Sequence, residues 1–281
     1  MEALKGIDFF ELEGALWLAQ KQVHIPAYDF KFTPLFEVRR PRLTDSVTAV
    51  ARVGAIADYS KSYAAFKELG FDLINSVEEH ERASELAHWY PLIKDHTPKS
   101  KVYAQFPRLD VLKKDFTFPV FIKGNRQTAK HSAELSIAKN KTDFSRIQEA
   151  YKRNTILHWQ KVVVRKFIPL KPLNYSAPDK VQISKEFRTF WWKGSCVGAG
   201  HYWSQYLNYN WTKEEAGKAL NLAQKVADLV NVPFLAIDLA LTVDNNWIVI
   251  ECNDAQESGY CGVNKQSLWQ NIIQLERKEK M

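Results

Sequence analysis

Two carboxylates occupy positions that strands normally reserve for apolar side chains. Asp238 lies inside "FLAIDLAL" and Glu251 inside "WIVIECN", with the polar Asp244-Asn245-Asn246 between the two runs. An unpaired charge in such a setting costs on the order of several kcal/mol. If Asp244 and Asn245 form a two-residue turn, counting outward places Asp238 opposite Glu251, and alternation puts Asn253 on the same face. Sliding the turn to Asn245-Asn246 sets Asp238 opposite Asn253 and keeps all three on one side, whereas an odd-length loop breaks the arrangement. Two carboxylates and an amide oxygen on one sheet face repel unless a cation lies between them. Hard oxygen donors favour Mg²⁺, and Mn²⁺ fits the same set. The competing reading is an exposed polar face that carries acids by chance.

Cationic candidates lie upstream. Lys123 ends the apolar strand "FPVFIKG", where an ammonium needs an anion or water within reach. Glu186 and Arg188, two apart in "KEFRTFWWKG", share a face. The alternative for Arg188 is a cross-strand ion pair, which contributes only about 0.2–1 kcal/mol. If Lys193-Gly194 is a two-residue turn, His201 falls opposite Glu186, near the same site or as a hydrogen-bonded structural histidine. Cys252 alternates away from Glu251 and reads as a small core residue. No G-x-x-x-x-G-K-[ST], strand-borne G-x-G-x-x-G, H-E-x-x-H or G-x-S-x-G occurs.

The elements that must position these residues can be read from periodicity and punctuation. "SVTAVARVGAI" alternates as a strand, "SKSYAAFKEL" reads as a helix closed by Gly70, and "FDLIN" as a short strand. "SVEEHERASELAHWYPLI" starts a helix at the Ser76/Glu79 capping box, and Pro91 stops or bends it. After the basic, proline-punctuated "KDHTPKSKVYAQFP" come the Lys123 strand, helical "TAKHSAELSIAKN" and "DFSRIQEAYKRN", and the strand in "KVVVRKFIPL". "EFRTFWWKGSCVGAG" forms a hairpin, and "TKEEAGKALNLAQKVADLV" a helix with Thr212 and Glu215 as its capping box. The carboxylate hairpin follows, then a basic helix, "NKQSLWQNIIQLERKEK".

The totals bound the class. At 281 residues, 46% hydrophobic and 25% charged, the chain has room for two or three lobes of an ordinary globular protein. Three cysteines make a disulfide framework improbable, and no C-x-x-C pair offers a zinc site. No run of about 18 apolar residues could span a bilayer. The acidic start lacks signal-peptide features, so the expectation is a cytoplasmic protein with no membrane partner. The net charge of +7 suits an anionic partner such as a nucleotide or nucleic acid, or solubility alone.

Over roughly residues 95 to 260 the chain resembles the ATP-grasp superfamily. That family grips magnesium with an Asp on one strand and a Glu-x-Asn on the next, matched by Asp238, Glu251 and Asn253. Lys123 resembles its phosphate lysine before a flexible loop, and Lys101, or its neighbour Lys99, its earlier phosphate lysine. Arg165, Lys166, Phe167 and Ile168 resemble the strand whose backbone meets the adenine edge. Glu186 and Arg188 resemble an acidic-x-Arg pattern whose arginine reaches ATP phosphates. Lys130 and His131 either close over those phosphates or form a solvated helix side.

The resemblance implies an α+β, three-lobed ATP-grasp fold: residues 1–95 as a small α/β pre-ATP-grasp domain, then lobes at 96–170 and 171–281 that clamp ATP. It implies an ATP- and Mg²⁺-dependent carboxylate–amine ligase working through an acyl phosphate, with Lys123 and Arg188 as the catalytic cations. Two departures bear on this: the loop after Lys123 holds only Gly124, and "NDAQESGY" stands where many peptide ligases have a Pro-Gly segment. The carboxylate and the acceptor, for which a peptide or protein is one candidate, are not named by the sequence. The rival is a nucleic-acid-binding or -modifying protein whose tryptophans, including Trp191, Trp192 and those in "HYWSQYLNYNW", stack on unpaired bases.

Overall fold

The computed structural model describes residues 47–52, 58–68, 70–126, 132–155, 157–175 and 181–279. Lys130, His131 and the end of the first strand expected from the sequence lie outside them.

Strands β1 (Val47–Ala49) and β2 (Phe71–Leu73) pair in parallel. Such a pair needs a crossover, here helix α1 (Tyr59–Glu68), closed by Gly70 at φ +87° with its amide on Lys67 O. Helix α2 (Val77–Ser84) begins at the Ser76–Glu79 capping box. The single helix expected through Ile93 breaks at the extended Glu85. Helix α3 (Leu86–Ile93) starts afresh because Asn125 caps it, its main-chain and side-chain oxygens accepting the amides of Leu86 and Ala87. Apolar periodicity continues across the break, and the cap comes from a distant residue, so the sequence alone conceals it.

The first of two four-stranded antiparallel sheets has the order β3–β6–β4–β5, from β3 (Ser100–Tyr103), β4 (Val120–Gly124), β5 (Ile137–Ala138) and β6 (Val162–Lys166). Short helices α4 (Leu109–Leu112) and α5 (Ala133–Ser136) and the longer α6 (Lys141–Arg153) connect them. The helix expected over "TAKHSAELSIAKN" is thus one turn, followed by a strand that pairs with β4. Alternation divides this sheet. Val120, Ile122 and Val164 pack under Phe144, Ile147 and Tyr151 of α6, while Lys123, Val163 and Arg165 occupy the other face.

The second sheet has the order β10–β9–β7–β8, from β7 (Glu186–Trp192), β8 (Ser195–His201), β9 (Phe234–Leu241) and β10 (Trp247–Asp254). Helix α7 (Lys213–Val230), with its Thr212–Glu215 capping box, buries Ala219, Ala223, Val226, Ala227 and Val230 against Trp191, Leu235, Ile237 and Leu239. This core also takes in Trp89 and Val163, so the two sheets share it. The opposite face is apolar at one end, where Phe190, Trp192, Phe234 and Ala236 meet Leu268 and Ile272 of helix α8 (Lys265–Glu279). Further along the same face come Arg188, Glu186 and Asp238, which explains charged residues in otherwise apolar strands. No helix among the described residues is long and apolar enough to cross a membrane.

Candidate active site

A cavity of about 430 Å³ opens between the two sheets. Lys123, Arg165 and the stretch Lys166–Ile168 line it from the first sheet and its exit, and Glu186, Asp238 and Glu251 from the second. Apolar side chains of Phe121, Ile137, Phe167 and Ile248 furnish much of its wall. Charge and apolar surface therefore face one enclosed space, as a site for an amphipathic anion requires.

The hairpin carrying the carboxylates reaches its register differently from the sequence expectation. Its loop, Val243–Asn245, has odd length, with the Thr242 amide on Asn246 O and Asn245 at φ +59°. One extra residue in β10, between Val249 and Glu251, restores the pairing, and Glu251 stands opposite Asp238 after all. On the other side of β9, Arg188 pairs with Asp238. Its guanidinium grips that carboxylate with two hydrogen bonds of 2.7 and 2.6 Å, while Nη1 donates to Gly259 O at 2.9 Å. The Lys123 ammonium crosses from the first sheet to Glu251 Oε1, and Asn253 hydrogen-bonds the same carboxylate.

Burial and partners set the titration of these groups. Burial pushes Glu251 up, but the Lys123 ammonium and its hydrogen bond outweigh this and hold the carboxyl below its ordinary value. Burial lifts Glu186 to about 7, against hydrogen bonds from Ser184 Oγ (2.6 Å) and Trp203 Nε1 (3.0 Å). Burial also lowers Arg165 to about 10, with Glu251 opposing, and leaves its Nη2 without a hydrogen-bond partner.

The donor chemistry of Asp238, Glu251 and Asn253 suits a hard divalent cation. Their neutralising charges here are the side chains of Arg188 and Lys123, which the sequence argument for a metal did not weigh. Among the described residues no group of three or more His, Cys, Asp or Glu is gathered to hold a metal.

Other candidates lie elsewhere. Lys101 pairs with Val164 and so projects from the face opposite Lys123, exposed and bonded to Asp115 at 2.6 Å. Lys99 donates to Asp115 O at 2.8 Å and, like Lys101, does not line the cavity. His201 pairs with Phe187 rather than Glu186, because the ladder shifts by one residue between Phe190 and Trp191. The Lys193-Gly194 turn itself has the expected two residues, at φ +45° and +79°. Trp191, Trp192 and Trp203 are buried and offer no platform for bases, and Cys252 is buried as expected.

Three features escaped the sequence reading. The Arg165 guanidinium turns into the interior, although the resemblance gives a part only to its backbone; its place inside a valine run is the available signal. Trp203 meets Glu186. Asp254, the residue after Asn253, is fully buried and accepts from Asn75 (2.8 Å), the Gln256 amide (2.8 Å) and the His80 ring (2.9 Å). Those partners bind the end of β10 to α2 and its N-terminal approach.

Comparison with known proteins agrees with this geometry. None of the curated protein sequences compared matches the chain significantly. Solved structures do. The RimK domain protein ATP-grasp from Sphaerobacter thermophilus superposes with a TM-score of 0.56 at 15% identity, covering 83% of this chain and 82% of that one. The D-alanine–D-alanine ligase of Bacillus anthracis, complexed with ATP, gives 0.53 at 14%, covering 78% and 75%. A carboxyaminoimidazole ribonucleotide synthase complexed with ATP, from Asperigillus clavatus, gives 0.55 at 10%, covering 86% and 67%. At such identities these likenesses speak for the fold alone. A family model described as an ATP-grasp domain, the third family of its clade, matches residues 68–272, most of the chain. The fold is the α+β ATP-grasp fold, and the chain belongs to the ATP-grasp superfamily, in the third family of that clade.

Proposed function

We propose that this protein is an ATP- and Mg²⁺-dependent ligase that joins a carboxylate to an amine or other nucleophile. The observation that carries the reading is the meeting of Lys123 from one sheet with Arg188, Asp238, Glu251 and Asn253 from the other, beside one partly apolar cavity. Apolar walls and the main chain of Lys166–Ile168 suit a purine, and the cationic end suits its phosphates.

Asp238, Glu251 and Asn253 would hold Mg²⁺, which when bound neutralises charge on phosphate oxygens. Lys123 and Arg188 bind and orient the phosphates. Glu186, on the cavity wall, orients a polar group of the nucleotide. In the proposed reaction a substrate carboxylate oxygen attacks the γ-phosphorus, the bond to the β-phosphate oxygen breaks, and ADP leaves. The nucleophile then adds to the acyl carbon, loses its proton and expels phosphate. No protein nucleophile is needed, and Lys101 has no part in this scheme.

The test is binding of Mg²⁺ and a non-hydrolysable ATP analogue to wild type, Asp238→Ala and Glu251→Ala, followed by product analysis with amino acids, peptides and RNA as acceptors. Magnesium-dependent binding lost in both variants, and ADP as product, are the expected results. Undiminished binding in both would remove the assignment, and AMP would replace acyl phosphate with adenylation.

A further inference from the structure

From Trp247 to Val249 the β9–β10 ladder follows the register set by the odd-length loop; continued unchanged, it would place Ile250 opposite Asp238. Ile250 is instead the extra residue of a β-bulge, and pairing resumes one position later. Main-chain groups around the bulge are bonded from the other sheet and the segment leading into it. The Val249 amide donates to His96 O, and Thr97 Oγ1 donates to Val249 O, both at 2.8 Å. Arg165 Nη1 donates to Ile250 O at 2.6 Å. The same guanidinium is steadied by Ser100, with Nε to Oγ at 2.9 Å, and its carbon lies 5.8 Å from the centre of the Trp89 ring.

We propose that Arg165 is a positioning residue: by holding the Ile250 carbonyl it maintains the bulge that keeps Glu251 opposite Asp238. A slip of one residue turns every side chain of a strand to the other face. Without the bulge Glu251 would face Ile237 in the apolar core beneath α7, and Cys252 would turn towards the cavity. The fork geometry of a guanidinium matters, because Ser100 Oγ and Ile250 O are satisfied together by donors in one plane. The consequence for metal and nucleotide rests on the ligase reading; the role in the bulge does not.

The experiment compares wild type, Arg165→Met and Arg165→Lys by amide hydrogen exchange resolved over residues 248–253, without ligand, and by affinity for an ATP analogue with and without Mg²⁺. Both variants are expected to exchange about tenfold or more faster at this stretch, with the β7–β8 hairpin unchanged. Mg²⁺-dependent affinity should fall about tenfold in both, while metal-free affinity changes less than about twofold. Should Arg165→Met fail to fold, Arg165→Lys and Thr97→Val carry the same test, since Thr97→Val loosens the bulge from its other side. Wild-type protection over these residues in either Arg165 variant overturns the inference. If wild type itself binds no nucleotide the ligase reading fails, and exchange still decides the role of Arg165.

Discussion

Lys123 reaches out of one sheet to Glu251 on the edge strand of the other, and within the second sheet Arg188 grips Asp238 in the same sense. Cations and carboxylates neutralise one another at the charged end of the cavity. A magnesium nucleotide offers each of these groups a replacement partner of the right sign, so loading the site leaves no charge stranded.

Lys123→Met tests this exchange. Glu251 loses its cation, and stability should fall by about 1–3 kcal/mol, below the full cost of a broken buried pair because the carboxylate is partly exposed. Millimolar Mg²⁺ should raise the melting temperature of the variant more than that of wild type, and nucleotide affinity should fall about tenfold or more. Scanning calorimetry and isothermal titration read both effects. An equal response of the two proteins to Mg²⁺ argues against Glu251 as a cation ligand.

For Arg188 and Asp238, stability and function should separate. Arg188→Met leaves a buried carboxylate unpaired and should cost about 3–5 kcal/mol in urea unfolding. Arg188→Met combined with Asp238→Leu removes both charges and should recover most of that loss, while nucleotide binding stays abolished. Binding restored along with stability would show the pair to be purely structural.

Glu186 predicts a pH dependence. With its carboxyl raised from 4.5 to about 7, the folded protein keeps a proton that the unfolded chain releases across that window. The stabilisation is complete below the ordinary carboxylate value and lost as pH rises towards 7. Glu186→Gln carries no such proton, so urea midpoints at about pH 5 and about pH 8 should show the variant gaining on wild type as pH rises. Parallel profiles would refute the raised carboxyl.

Asp254→Ala deprives Asn75, His80 and Gln256 of a common acceptor in a site closed to water. The expected loss is about 3 kcal/mol or more, measured by chemical denaturation. Asp254→Asn should recover part of it by keeping one oxygen. A loss below about 1 kcal/mol would mean that the network contributes little.

Much of this was legible from local chemistry. The capping boxes at Ser76 and Thr212, the Lys193-Gly194 turn and the alternation of Glu186 with Arg188 are short-range facts, and all were found where the residues predicted them. The facing of Asp238 and Glu251 was anticipated for an incomplete reason: the even turn is an odd loop, and the difference is made up by a bulge stabilised from another sheet. Long-range register was not readable. Nothing in the sequence says that Lys101 and Lys123 leave their sheet on opposite faces, that Asn125 caps α3, or that Lys123 and Arg188 supply the charge first assigned to a metal.

The loop that supplies Gly259 O to Arg188 lies on β8, with the Gly262 amide on His201 O. A Cβ at Gly200 would overlap the backbone of Gly262 and Val263, and a Cβ at Gly262 would strike the His201 ring. The anchoring of one arginine thus depends on bare main chain at two places well separated along the polypeptide. A library randomised at codons 200 and 262 and selected only for folded protein should return glycine at both, a mark of invariance owed to packing clearance rather than to chemistry.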